Sequence, residues 1–141
     1  MIYKLKAIVL HSIKYKENSS IVYLYTNGFG RQTYLINGLR SSKGKTKVNL
    51  FHSLFLLDIE AYHNPKSDIQ RLKECQLTVP LQSIPFTLTK SSLALFISEL
   101  LYKVIREEEP NTDLFDFLYH SIMMLDQLED GVANFHLHFL A

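Results

Sequence analysis

The segment from Gly38 to Thr46 comes closest in this chain to a nucleotide-binding motif. A phosphate-binding P-loop has a glycine, four further residues and then Gly-Lys-Thr, and a helix follows it directly. Here five residues separate Gly38 from Gly44. The sequence Val-Asn-Leu-Phe at 48–51 favours a strand instead of a helix. Spacing and context both fail, so we do not expect nucleotide hydrolysis.

Histidines, carboxylates and the cysteine do not form a convincing catalytic or metal-binding set either. His136 and His138 are two residues apart in a segment with helical character, so their side chains point away from each other. Asp58 and Glu60 share one face of a predicted strand, but two carboxylates without a third ligand are usually a solvated edge. Cys75 is the single cysteine and cannot build a thiolate zinc site alone. We therefore predict no catalytic residue, metal or cofactor.

Positive charge is concentrated in the first part of the chain. The first fifty residues carry nine Lys or Arg against one acid. Residues 1–80 contain twelve basic and five acidic side chains, a net charge of +7, whereas 81–141 contain three and nine, a net charge of −6. Such asymmetry between halves is a recognised sign of binding to nucleic acid or to a membrane surface. The charge pattern predicts a polyanionic partner.

Four of these cations lie between Ser, Gly and Thr residues in the segment 37–49. A flexible basic segment can adapt to a phosphate backbone, and single-strand binders combine such a groove with aromatic platforms for bases. The aromatic residues on the neighbouring strands and hairpin are better explained as barrel core, because small barrels need large side chains inside. They are Tyr15, Tyr23, Tyr25, Phe29 and Tyr34. The candidate nucleic-acid-binding residues are Arg31, Arg40, Lys43, Lys45, Lys47, Lys14, Lys16 and Tyr34.

Hydrophobic alternation predicts five strands in the first eighty residues, at 2–13, 21–26, 31–36, 51–62 and 69–79. The sequence Asn-Gly-Phe-Gly at 27–30 supplies the residues that a tight hairpin requires. Strict alternation in the first strand places Ala7, Val9 and Ile13 on the same face. In the fifth strand it places Arg71 and Cys75 together. Five short strands in this length predict a small barrel.

The pattern changes after Pro80. We place a linker at 81–90, because the prolines around it stop a strand and no helical period is present. A helix with an apolar stripe from Leu93 to Ile105 follows, capped by Thr89 or Ser91. A second helix begins at Asn111 or Thr112 and ends near Gly131. A third apolar segment follows at 132–141. We expect the helical domain at 91–141 to be incomplete.

Length and composition agree with this organisation. The chain has 141 residues, of which 47% are hydrophobic, and this is enough for one ordinary domain or two small ones. No apolar run approaches the roughly twenty residues of a membrane-spanning helix. The N-terminal residues lack the pattern of a secretory signal. We expect a cytoplasmic protein that does not bind a membrane.

Three sequence stretches resemble a known family. They are Lys6-Ala-Ile-Val-Leu10, the hairpin Thr26-Asn-Gly-Phe-Gly30 and the loop Asn37-Gly-Leu-Arg-Ser-Ser-Lys43, which are followed by a strand rich in Phe and Leu at 51–60. In this order and spacing they resemble the N-terminal region of the bacterial DNA repair protein RecO family, and 133–137 resembles its helical domain. The resemblance implies an α+β chain with an N-terminal five-stranded OB-fold β-barrel at 1–80 and an α-helical domain after it.

The family resemblance also implies a function. Its members are non-enzymatic proteins of recombinational repair that bind single- and double-stranded DNA and anneal complementary strands. With RecR they help to load RecA onto strands coated with single-strand-binding protein, whose acidic tail contacts the helical domain of relatives. By position, the basic OB face corresponds here to Arg31, Arg40 and Lys43. Some relatives carry a four-cysteine zinc site, which lies beyond Ala141 or is missing in this branch.

Two other functions remain open at this point. A basic barrel does not by itself choose between DNA and RNA, so an RNA-binding OB-type module is one alternative. The other is an adaptor whose barrel and helices bind only proteins, with the lysines serving solubility. Competition between DNA and RNA oligonucleotides would separate the first alternative, and charge reversal at Arg40, Lys43 and Lys45 would separate the second.

Overall fold

The first part of the chain forms a closed five-stranded barrel. The structure is a computed structural model and describes residues 2–17, 19–37, 50–78 and 80–128. The strands are β1 (Ile2–Lys16), β2 (Ser19–Thr26), β3 (Gly30–Asn37), β4 (Leu56–Tyr62) and β5 (Ile69–Leu77). They pair in the order β1-β2-β3-β5-β4, and β4 pairs with β1 to close the barrel. The pair β3–β5 is parallel and the other pairs are antiparallel. The predicted barrel is confirmed.

Alternating side chains of β2 and β3 fill the barrel. Val22 and Leu24 are fully buried, and Tyr34 and Ile36 are nearly so. The residues between them face outwards. In β1, by contrast, the four consecutive residues 7–10 are all buried. A strand is buried on both faces only where a second layer covers its outside, and here the helices supply that layer.

Extra residues within strands change which face the later side chains occupy. Between Val9 and His11 the register of β1 against β2 shifts, so that Leu10 has no partner in β2. Val9 therefore lies opposite the inward Leu24, whereas Ile13 lies opposite Ile21 and is 43% exposed. The prediction that Val9 and Ile13 share a face is wrong, because one extra residue reverses the alternation.

The same effect occurs in β5. The register of β5 against β4 shifts between Glu60 and Ala61, and this leaves Lys73 without a counterpart. Cys75 consequently lies opposite the buried Ile59 and is itself half-buried, while Arg71 is exposed on the outer face. The predicted common face for Arg71 and Cys75 is corrected by this bulge.

Residues 51–55 do not belong to the strand predicted at 51–62. Phe51 and Phe55 are buried, as expected of apolar side chains, but β4 begins only at Leu56. Leu54 has a positive φ of 65° and donates its backbone N–H to the oxygen of Val9 at 2.9 Å. This turn holds the segment against Val9 of β1, beyond the last β1–β4 register pair Ile8–Leu56, which an alternation pattern cannot reveal.

Within the described residues two helices follow the barrel, α1 (Leu88–Val104) and α2 (Thr112–Gln127). The start of α1 corrects the prediction, since its N-cap is Thr87 and neither Thr89 nor Ser91 has that position. The predicted cap of α2 is confirmed, because the Asn111 side chain accepts a hydrogen bond from the Leu114 N–H. The predicted end of α2 near Gly131 is corrected, because α2 ends at Gln127 with Leu128 as its C-cap. The apolar segment 132–141 lies outside the described residues.

The connection between barrel and helices is held by Asp126 near the end of α2. Its carboxylate accepts hydrogen bonds from the backbone N–H groups of Gln82, Ser83 and Ile84 at 2.7, 2.8 and 2.9 Å. The buried Lys90 donates to the Asp126 backbone oxygen at 3.0 Å. Ile84 is 2% exposed. The middle of the predicted linker is therefore anchored to α2.

Candidate nucleic-acid interface

The helices cover one part of the outer barrel surface. The ring of His11 on β1 stacks on that of Tyr102 on α1 with centroids 4.3 Å apart, and its Nδ1 lies 2.8 Å from Glu99 Oε1. Tyr23 on β2 meets Tyr102 edge-on at 4.9 Å. Burial raises the pKa of the Tyr23 hydroxyl, and a hydrogen bond with Tyr102 adds to the rise. This part of the β1–β2 surface belongs to an internal junction.

Arg31 is the cation of that junction. Its Nη1 donates to the backbone oxygens of Tyr102 and Ile105 at the end of α1, at 2.7 and 3.0 Å. The guanidinium also lies over the rings of Tyr23 and Tyr102, at 5.0 and 4.5 Å from their centroids. A cation at this position satisfies carbonyls that the helix leaves unpaired and complements the helix dipole. A contact between Arg31 and DNA remains a prediction.

A second part of the outer surface is left open by the helices. Register pairs place Ile13, Ile21, Leu35 and Arg71 side by side across β1, β2, β3 and β5. At a strand spacing of about 4.8 Å the row is about 14 Å wide. Ile13 is 43% exposed and Ile69, on the adjoining row, 44%. We call these five residues the open face. It is an apolar strip with one guanidinium at its β5 edge.

Tyr15 and two lysines border the open face on the β1 side. The register of β1 shifts again between Lys14 and Lys16, so Tyr15 has no counterpart in β2 and is 53% exposed. Both lysines are exposed. The Lys16 ammonium lies 5.3 Å from the centroid of the Tyr15 ring. We call Lys14, Lys16 and Arg71 the basic rim: Lys16 and Arg71 are exposed at opposite edges of the open face, and the exposed Lys14, which pairs with the inward Ser20, lies beside Tyr15 at the end of the barrel.

The loop between β4 and β5 is fixed by hydrogen bonds to the side chain of Gln70, near the start of β5. Gln70 is buried, and its amide nitrogen donates to the backbone oxygens of Asn64 and Ser67, each at 2.8 Å. Its amide oxygen accepts from the Asn64 N–H at 2.8 Å. Three hydrogen bonds from one side chain therefore fix the loop beside the open face.

Another side of the barrel carries a groove of about 440 Å³, but its charges are mixed. Lys4 and Lys6 line it together with Asp58, Glu60 and Glu74. Lys6 Nζ lies 3.0 Å from Asp58 Oδ1, and this hydrogen bond raises the pKa of Lys6. With its lysines outnumbered by carboxylates, this groove is a poorer site for a polyanion than the basic rim.

The structure places four of the predicted site residues, in three different settings. Lys14 and Lys16 lie on the basic rim, and Arg31 lies in the junction. Tyr34 is 1% exposed inside the barrel, and burial raises the pKa of its hydroxyl. A buried ring offers no face to a base, which corrects its assignment as a nucleic-acid contact. Arg40, Lys43, Lys45 and Lys47 lie outside the described residues.

Sequence reasoning missed Arg71, and it left Tyr15 among the aromatic residues that it explained better as barrel core. Arg71 was placed on the face of Cys75 by strict alternation, and only the bulge at Lys73 separates the two. Tyr15 lies beside a predicted strand, and its residue type does not distinguish it from the core tyrosines. Tyr25, for example, is 2% exposed and packs against Phe115. The flanking lysines on both sides were the one signal in the sequence that set Tyr15 apart.

The strand order, the parallel β3–β5 pair and the closed barrel define an OB-fold, which is here followed by helices. In that class the β2–β3 face and the loops β1–β2 and β4–β5 form the usual binding surface. Neither helix of the described part is long and apolar enough to cross a membrane. Within the same residues no three His, Cys, Asp or Glu side chains are grouped to hold a metal ion.

The chain belongs to the recombination protein O family. The family model described as Recombination protein O N terminal matches residues 1–81, and the model described as Recombination protein O C terminal matches 85–141. The family resemblance drawn from the sequence is confirmed.

Curated relatives agree with this assignment. The DNA repair protein RecO of Bacteroides fragilis is 44% identical over 140 residues, which are 99% of this chain and 58% of the relative. The RecO proteins of Phocaeicola vulgatus and Flavobacterium psychrophilum are both 41% identical, over 99% and 95% of this chain and 58% and 56% of their own lengths. The chain thus spans under three fifths of the length of these relatives.

Proposed function

We propose that this chain is the DNA-contacting part of a recombination mediator that binds single- and double-stranded DNA and anneals complementary strands. The observation that carries the proposal is the basic rim around the open face, on the surface that OB-fold proteins use for oligonucleotides. Membership of the recombination protein O family supports it. Loading of RecA with RecR on strands coated with single-strand-binding protein is proposed from the family alone.

The proposed mechanism is electrostatic. Two strands repel each other through their phosphates, and cations that neutralise both backbones let complementary bases meet. Lys16 on one side and Arg71 on the other would hold the backbone across the apolar strip, with Lys14 at the adjoining end of the barrel. Asn37, the last residue of β3, pairs with Ser19 near this rim, and the chain continues from it into the segment with Arg40 and Lys43. No catalytic acid or nucleophile is required, so we propose no enzymatic activity.

The test is the affinity for a labelled single-stranded DNA oligonucleotide as a function of salt. The variant replaces Lys14, Lys16 and Arg71 by Gln. Each lost phosphate contact makes the slope of log K against log salt shallower by about 0.7 on single strands, so we expect a change of about 2. The matched control replaces Lys4, Lys103 and Arg106 by Gln, which removes the same charge elsewhere and should leave the slope nearly unchanged.

The two variants decide between the proposal and its alternatives. If both variants lose the same DNA affinity, only the net charge matters, and this would contradict a defined interface. If the parent chain does not bind DNA even at low salt, the result would contradict the proposed function and favour a protein adaptor. An RNA oligonucleotide of the same sequence that competes better than DNA would favour an RNA-binding module. Glutamine replacements at Arg40, Lys43, Lys45 and Lys47 measure the contribution of that segment separately.

A further inference from the structure

Tyr15 combines features that the electrostatic proposal does not use. The ring sits at a bulge in β1, so no residue of β2 lies opposite it. It is 53% exposed, whereas Tyr25 and Tyr34 are 2% and 1% exposed in the core. The ring is therefore free of cross-strand packing and accessible to a ligand.

The surroundings of the ring limit what it can bind. Lys14 and Lys16 flank it in the chain, and the Lys16 ammonium is 5.3 Å from the ring centroid. An apolar peptide would have to desolvate both ammonium groups without compensation. A nucleotide suits both the ring and the ammonium groups, because its base is a flat π-surface and its phosphate is an anion. The neighbouring Ile13, 43% exposed, extends the apolar surface on the same strand.

We infer that Tyr15 is a stacking platform for an unpaired nucleobase and makes this surface prefer single-stranded over double-stranded DNA. The inference rests on the proposed function, since it assumes that DNA occupies the basic rim. In a duplex the bases are stacked and paired inside the helix, so the ring cannot reach a base face. A duplex meets only the cations of the rim. A single strand meets the cations and the ring.

The experiment compares three probes, an oligothymidylate of about 16 nucleotides, an abasic strand with the same number of phosphates, and a duplex of that length. The variants are Tyr15→Ala, Tyr15→Phe and, as a matched control, Phe96→Ala. Phe96 is also 53% exposed but lies on α1. Circular dichroism checks that each variant is folded, which we expect because both positions are exposed.

Tyr15→Ala should weaken binding of the oligothymidylate about 5- to 150-fold, the range found for one base stacked on an aromatic ring. Binding of the abasic strand and the duplex should not change. The slope of log K against log salt should also stay the same, because no phosphate contact is lost. Tyr15→Phe should bind like the parent, since it keeps the ring, and Phe96→Ala should do so as well.

Two outcomes would overturn the inference. One is an unchanged affinity of Tyr15→Ala for the oligothymidylate. The other is an equal loss on the abasic strand, which would show that the ring supports the lysines and does not stack on a base. If the parent binds DNA in a salt-dependent way that requires the basic rim, either outcome removes only the role of Tyr15. If the parent binds none of the probes, the proposed function itself fails.

Discussion

Gly30 is the residue at which the β2–β3 hairpin meets the acidic segment after α1. Its φ is +67°, and a Cβ atom built there would lie 2.7 Å from both the backbone oxygen of Glu107 and the backbone nitrogen of Glu109. Next to it, the Arg31 N–H donates to the Glu107 oxygen at 2.9 Å. Only glycine allows this approach of two backbones. The segment 107–109 is thus held through its main chain, while its carboxylates stay exposed.

Gly30→Ala should therefore destabilise the protein. The left-handed conformation alone costs an alanine about 1–2 kcal/mol, and displacement of the 107–109 backbone adds to it. Chemical denaturation followed by circular dichroism measures the free energy of unfolding. Gly28→Ala is the control, because its Cβ would meet only Leu5 Cδ2 at 2.6 Å, the end of a flexible side chain. Equal effects at both positions would contradict the account given for Gly30.

Among the elements, the connection between β5 and α1 depends on a single carboxylate. Burial by itself raises the pKa of Asp126, but hydrogen bonds from the N–H groups of Gln82, Ile84 and Ser83 outweigh it. The pKa is lowered below the ordinary value as a result. A carboxylate whose pKa is depressed by folding stabilises the folded state when it is ionised. The stabilisation is complete above the unfolded pKa of about 3.9 and is lost as pH falls through the folded pKa.

Asp126→Asn should lower the free energy of unfolding by about 1.5–3 kcal/mol at pH 7, the value of hydrogen bonds to a charged group. The difference in the free energy of unfolding between parent and variant should become smaller once the pH falls below about 3.9. Urea titrations at neutral and acidic pH measure this difference. Asp116→Asn, at an exposed position on α2, is the control and should differ little from the parent. A gap that does not change with pH would contradict the role of the ionised carboxylate.

At the scale of the whole molecule, Arg31 ties the barrel to the helices. Its side chain reaches from β3 to two carbonyl oxygens at the end of α1 and lies between rings of both parts. The planar guanidinium can make these contacts together, whereas a lysine ammonium is a point charge. The junction therefore depends on the shape of the cation as well as on its charge.

Arg31→Gln should reduce the free energy of unfolding by about 1.5–3 kcal/mol, and Arg31→Lys should recover only a small part of it. Thermal or chemical unfolding measures both variants, with Arg106→Gln as an exposed control cation. DNA affinity should change little under conditions where the variant is fully folded. A large loss of affinity there would instead place Arg31 in the DNA interface, as its sequence position predicts.

Much of the fold could be predicted because its signals are local. The β-branched and aromatic run at 21–26, the glycines of the β2–β3 hairpin and the Asn111 cap each reflect the conformation of a few consecutive residues. The charge difference between the two parts of the chain needs no structure at all. The sequence therefore determined the barrel, the two helices, the polyanion hypothesis and the family.

The tertiary structure alone decided which side chains are available for binding. Bulges at Leu10, Tyr15 and Lys73 are set by the register in which neighbouring strands pair, and each one reverses the faces of the residues that follow it. Because α1 packs on β1 and β2, the Arg31 side chain binds the end of α1. Closure of the barrel buries Tyr34. Burial depends on the sum of contacts from distant segments, which no local pattern contains, and that is why the role of Arg71 and the exposure of Tyr15 emerged only from the folded chain.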